Sequence, residues 1–153
     1  MPTPTRKSAI RGHKVNPRES LAEFRHILRR FLHFSEEAAA RAGLTTQQHQ
    51  LMLQISGAPR AALPTVGYLA ERLALRHHSV VELIDRCEHT GLVARKSDPG
   101  DGRLVVLRLT AAGNRILHAL SKDHARELNE LAPALIRSLN NITAQSKNPP
   151  RSN

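Results

Sequence analysis

The residues of this 153-residue chain with chemistry to offer are nine histidines, one cysteine and an arginine set in the turn-rich stretch DPGDGRLVVLRLT at 98–110. A zinc site needs converging His, Cys or carboxylate ligands, often four apart on one helix. His118 and His124 are six apart and share a face poorly, and His77 and His78 are adjacent. Cys87 falls on the apolar stripe Val80, Leu83, Ile84 and Cys87, which makes it a packing residue rather than a redox sensor. As the only cysteine it also excludes an internal disulfide, and a reducing cytoplasm is the expected home. The sequence carries no glycine-rich phosphate loop and no nucleophile elbow. The expectation is a protein that is no enzyme and uses neither metal nor cofactor.

The arginine is more informative. Asp98, Pro99, Gly100, Asp101 and Gly102 are turn formers, each suited to a tight reversal. After them Val105, Leu107 and Leu109 point one way in an extended chain, and Leu104, Val106 and Arg108 the other. The pattern predicts the tip and return strand of a β-hairpin, with Leu92–Lys96 as the outgoing strand and Arg103 at the base of the loop.

Helical elements must position that hairpin. Apolar residues at Leu21, Phe24, Ile27, Leu28, Phe31 and Leu32 predict a helix from Glu19 to about Ala42, ended by Gly43. Thr45-Thr46-Gln47-Gln48 has the form of a capping box opening a second helix to Gly57. Thr65 caps a short third helix through Leu73, residues 74–76 turn, and a fourth helix runs from about His77 to His89, ended by Gly91. Thr110 caps a fifth from Ala111 to about Glu130, and Pro133 suits an early position of a sixth to about Thr143. The fold class is therefore mostly α with a small β-wing: six helices and a two-stranded antiparallel hairpin. Two short helices joined by a three-residue turn make a helix-turn-helix, and the hairpin after it makes a wing.

Residues 1–17 and 146–153 are polar and rich in Pro, Ser and Asn, and are expected to be mobile tails around a domain at 18–145. Lys and Arg outnumber acids by ten, and the first thirty residues carry eight of them against two Glu. Such a balance suggests a polyanionic partner, nucleic acid first, with a solvated basic tail as the plainer alternative. No apolar run approaches the length of a membrane span, so no membrane partner is expected.

At this point the sequence resembles the bacterial MarR (multiple antibiotic resistance) winged-helix transcriptional regulators. The segments that carry the resemblance are LTTQQHQLMLQI at 44–55, LAERLAL at 69–75, SVVELIDRCEHTGLV at 79–93 and DPGDGRLVVLRLT at 98–110. The wing signature is Asp101, Arg103, Leu109 and Thr110. The resemblance implies a winged helix-turn-helix at about 44–110 and dimerisation helices at about 19–42 and 111–145. It further implies a homodimer facing a pseudo-palindromic duplex, often as a repressor, released by a small aromatic or phenolic effector. There are departures: Arg76 opens the recognition helix where Ser is usual, Glu82 stands where a basic or small residue is common, and Gly102 replaces a frequent Arg.

A helix in the major groove reads base edges with its outward, N-terminal side chains. With Val80, Leu83, Ile84 and Cys87 inward, the expected DNA-facing set is Arg76, His77, His78, Ser79, Val81, Glu82 and Arg86, with Asp85 on the same side. A wing beside that helix reaches the minor groove, where negative potential attracts Arg103, and Asp101 is expected to hold its guanidinium. Arg95 and Lys96 are expected to meet the DNA backbone. Leu128, Leu131, Leu135, Ile136 and Leu139, added to Leu21 and Phe24, form more apolar surface than one small core needs and are the expected dimer interface. His33, His49 and His118 are candidates for an effector pocket, against the plainer reading of partly buried polar residues. The alternative function is an architectural or protein-docking winged helix without strong sequence preference, which Glu82 favours.

Overall fold

The computed structural model describes residues 16–146; of the predicted tails at 1–17 and 146–153, residues 1–15 and 147–153 lie outside the described residues. Asn16 caps the first helix, Pro17 begins it and Ser146 ends the last helix. Seven elements follow in order: α1 (Pro17–Arg41), α2 (Thr46–Ser56), α3 (Val66–Leu73), α4 (His77–His89), β1 (Val93–Ser97), β2 (Val105–Leu109) and α5 (Ala111–Ser146). The chain divides into two compact units, one of residues 30–130 and one of the residues before 30 and after 130.

The helix ends are written in local chemistry. Asn16 caps α1, its Oδ1 accepting from the Arg18 N–H at 3.0 Å, and Pro17 takes the first helical position, where its missing N–H costs nothing. The Thr45 capping box is fully formed, with the Gln48 N–H donating to Thr45 Oγ1 and the Thr45 N–H to Gln48 Oε1. Thr65 caps α3 through the Tyr68 N–H, and Thr110 caps α5 through the Gly113 N–H. Three helices close on the same paired bonds from beyond their last turn, with residues of positive φ at Gly43, Ala74 and Gly91. At Ala74 the left-handed angle of 52° is held by a residue with a Cβ, and the N–H groups of Ala74 and Leu75 tie it to Glu71 and Ala70.

One expectation is corrected. There are five helices in the described residues, because the predicted fifth and sixth are one continuous helix, α5, with Pro133 inside it. A separate helix starting at Pro133 would need Ala132 as its cap, and alanine has no side-chain acceptor for the free N–H groups. With no glycine to stop it, the run RELNELAPALIRSL continues helical through the proline.

Within residues 30–130, the core is built from Leu51, Met52, Leu69, Leu83, Ile84 and Leu107, each under 2% exposed. Strands β1 and β2 pair antiparallel from Val93 with Leu109 to Ser97 with Val105. Val106 and Leu107 are both fully buried, so each face of β2 is covered at its centre. The Leu107 N–H donates to the Pro64 carbonyl at 2.9 Å, which ties the outer side of the hairpin to the residue before the α3 cap. In the other unit Ser20, Ile27, Leu131 and Ser138 are buried, while Leu21, Leu28, Ile136 and Leu139 are 41–56% exposed.

Gly113 is a close-approach position: a Cβ built on it would lie 2.2 Å from the Leu92 carbonyl oxygen. Both residues meet through backbone, and neither can swing aside. Gly113→Ala is therefore expected to destabilise the fold by about 1–3 kcal/mol through overpacking. Chemical denaturation with an unchanged midpoint would disprove the close approach.

Candidate nucleic-acid interface

The turn at 74–76 aims α4, and the helical period sorts its side chains into two faces. Val80, Leu83, Ile84 and Cys87 are buried at 0–1% exposure. His77, His78, Glu82, Asp85 and Arg86 are exposed, and Ser79 and Val81 are half-buried. Arg76 occupies the cap position with extended backbone and no capping bond from its side chain. The first-turn N–H groups of α4 are thus left without a capping side chain, beside two histidines and an arginine. Burial pushes the Cys87 thiol pKa up to about 11, against the smaller opposing effect of Arg86. At neutral pH it stays a thiol and offers no nucleophile.

The wing tip is folded by its aspartates. Asp98 Oδ2 accepts from the Gly100 and Asp101 N–H groups at 3.0 Å each, and the Asp98 N–H donates to the Leu104 carbonyl at 2.8 Å. Asp101 Oδ1 accepts from the backbone N–H of Arg103 at 3.0 Å. The expected contact between Asp101 and the Arg103 guanidinium is thus replaced by one to the Arg103 backbone. A carboxylate two residues back in a turn reaches the main chain more readily than the end of a long side chain. Arg103 itself is exposed, as are Lys96 and Arg108.

Arg95 is placed differently from Lys96. Its guanidinium donates to Asp85 Oδ1 at 2.6 Å and pairs with the Glu88 carboxylate, and its backbone N–H donates to Glu88 Oε1 at 2.9 Å. Those bonds, the one to Asp85 first, raise the guanidinium pKa further above its already high value. Sequence reading missed this trio because the partners lie ten and seven residues away across a helix end. Charge alternation around the turn was its only trace. Also missed were the Arg72 Nε bond to Gln54 Oε1 at 2.9 Å and an open groove beside β2 that carries Arg60 and Arg108.

The three candidate pocket histidines are not brought together. His33 is exposed and pairs with Glu37 one turn on, His118 is exposed, and His49 is 2% exposed. The partner of His49 is instead His124, their ring centroids 4.9 Å apart. His124 bonds to the Leu120 carbonyl and to Ser35 Oγ, with Phe31 and Phe34 against its ring. Among the described residues no group of three His, Cys, Asp or Glu side chains is arranged to hold a metal ion. No helix there is long and apolar enough to cross a membrane.

Burial first, and the neighbouring His124 second, lower the pKa of His49 below its ordinary value. The unfolded chain therefore binds this proton more readily than the folded one. Stability from this group is complete above the ordinary histidine pKa of about 6.5 and is lost as pH falls below it. The denaturation midpoint is expected to drop between about pH 7 and pH 5, and to drop less in His49→Leu. Equal pH dependence in the two proteins would show that His49 is not the group responsible.

Residues 42–104 match the sequence model of the MarR family. A Bacillus subtilis (strain 168) protein described as an uncharacterized HTH-type transcriptional regulator, YcgE, is 40% identical over 74 residues, covering 48% of this chain and 45% of that protein. The chain spans about half the length of the curated relatives it matches. Among solved structures, a mutant of S. aureus MepR bound to an oligodeoxyribonucleotide superposes with a TM-score of 0.60 at 19% identity, over 74% of this chain and 81% of that one. CouR from Rhodococcus jostii RHA1 bound to p-coumaroyl-CoA superposes with a TM-score of 0.65 at 18% identity, over 90% and 98%. Identities this low speak for the fold alone.

Proposed function

We propose that this chain, whose residues 42–104 match the MarR family, is a transcriptional regulator that binds a pseudo-palindromic duplex as a homodimer and represses until a small effector releases it. The observation that carries this reading is the pairing, within one compact unit, of the exposed α4 face with a wing that presents an exposed Arg103. In the proposal α4 enters the major groove. His77, His78 and Ser79 donate to guanine edges or phosphate, and Arg76 sits beside them at the helix start. Val81 meets a thymine methyl group, and Glu82 accepts from a cytosine amino group. Arg86 and Lys96 meet phosphates, and Arg103 enters the minor groove, held by a loop that Asp98 and Asp101 have already folded. The MepR complex with an oligodeoxyribonucleotide supports the DNA reading by likeness of fold.

Dimerisation is proposed on the apolar side chains left exposed on the terminal helices: Leu21, Leu128, Ile136 and Leu139, together with the half-buried Phe24 and Leu135. Leu131 is already covered within its own chain. Two copies sharing a two-fold axis would present two α4 helices to half-sites one DNA turn apart. CouR, solved with p-coumaroyl-CoA, supports an aromatic effector class by analogy, and His33 and His118 are not proposed as its ligands.

Selection from a random duplex pool tests the function, with enrichment of one inverted-repeat sequence expected. Retention without enrichment would favour the architectural, protein-docking reading that the exposed Glu82 suggests. On the selected duplex, Arg103→Ala is expected to weaken binding by about 1–3 kcal/mol with the fold intact. Binding unchanged at physiological salt would remove Arg103 from the interface. For assembly, sedimentation at micromolar concentration is expected to give a dimer for the native chain and a monomer for Ile136→Glu. A native monomer would refute the two-fold arrangement.

A further inference from the structure

Arg95 stands at the middle of β1, opposite the fully buried Leu107. Three of its donors are directed at α4: the backbone N–H and one guanidinium nitrogen at Glu88, and the other guanidinium nitrogen at Asp85. Its side chain is 33% exposed, as is that of Glu88. On the other side of the hairpin, the Leu107 N–H holds the Pro64 carbonyl. The hairpin is thus gripped at the same level from both edges. Beyond that level Lys96, Ser97 and residues 99–103 are exposed, so the direction of the tip follows from how this level is held.

Building on the DNA-binding reading above, we infer that Arg95 is a positioning residue rather than a phosphate contact: it fixes the angle of the wing on the recognition helix by bridging Asp85 and Glu88. Two consequences follow from the charges. The bridge sets the spacing between the helix that reads the wide groove and Arg103, which reaches the narrow one. It also offsets one of the two carboxylate charges on the second half of α4, where Asp85 lies on the exposed face beside Arg86. A planar guanidinium has two forks and serves two carboxylates at once, whereas the ammonium of lysine is a single point charge. Arg95→Lys is therefore expected to restore only part of what Arg95→Met loses.

The two roles separate experimentally. A phosphate contact contributes about 0.9 to the slope of log affinity against log salt, and a residue committed to internal carboxylates contributes nothing to it. Arg95→Met is expected to weaken binding of the selected duplex about tenfold, the scale of coupled contacts, with the salt slope unchanged. Lys96→Met, the control, is expected to reduce the slope by about one. In a background of Asp85→Asn with Glu88→Gln, the loss caused by Arg95→Met is expected to shrink severalfold, because neutral amides still accept from the guanidinium but no longer attract its charge. A reduced slope for Arg95→Met, or an equal loss in both backgrounds, would make Arg95 a phosphate contact and overturn the inference.

Amide hydrogen exchange without DNA gives an independent arm. Arg95→Met and the Asp85→Asn, Glu88→Gln double variant are each expected to speed exchange across 94–97 and leave the α2 amides protected. Unaltered exchange in both would overturn the bridge. Should the native chain enrich no duplex, the DNA reading fails, while this arm still decides whether Arg95 holds the wing. If Arg95→Met does not fold, Arg95→Gln, which also removes the charge, carries the same comparisons.

Discussion

The carbonyl of Leu92 is where four elements of the winged unit are joined. Leu92 follows the glycine that ends α4, and its N–H returns to the Cys87 carbonyl at 2.9 Å. Its own oxygen accepts from the Thr110 N–H at 3.0 Å, so the end of α4, both strands and the start of α5 share one residue. Thr110 adds a second tie, its hydroxyl donating to the Gly91 carbonyl at 2.6 Å while capping α5 through the Gly113 N–H. Because so many backbone groups converge, there is room for a hydrogen but not a methyl group at residue 113. A junction made of main-chain bonds is short and stiff, and it lets a two-stranded hairpin stand on a helical core. Isolated hairpins of that size are marginal in water.

From that junction outward, control of the wing passes from backbone to charge. Val93 buries the base of the hairpin, Leu107 and the Asp85–Arg95–Glu88 trio hold its middle, and Asp98 and Asp101 fold its tip. Each stage removes freedom that a bare loop would keep, so little remains at Arg103 except in its own side chain. A partner meeting that side chain would order one guanidinium rather than a whole loop. The helix next to it is divided just as sharply. Its apolar stripe is committed to the core, and the polar groups of its first turns lie on the open side.

The interior of the same unit contains a polar element that the winged surface does not use. His124 is satisfied by the Leu120 carbonyl and Ser35, and its ring is edged by Phe31 and Phe34. His49 lies beside it with its Nδ1 unbonded among the described residues. Burial and the neighbouring ring lower the pKa of His49, which makes this the point where proton concentration reaches the packing of α1, α2 and α5.

Much of this was readable from near neighbours. The Thr45 box, the Thr65 and Thr110 caps, the turns at Gly43 and Gly91 and the alternation after Asp101 each depend on residues within about four positions of one another, and those signals survive in a linear string. The two faces of α4 were equally legible, because a helical period is a local property. What the tertiary structure decided involves partners far apart in sequence or a competition that local rules score wrongly. Arg95 was assigned to a phosphate on charge alone, and only folding brings Asp85 and Glu88 to it. His49 was grouped with His33 and His118, but burial paired it with His124, far along the chain on α5. Pro133 looked like a helix start, yet without a cap before it one unbroken α5 is the more stable course, since losing a single hydrogen bond costs less than ending and restarting a helix.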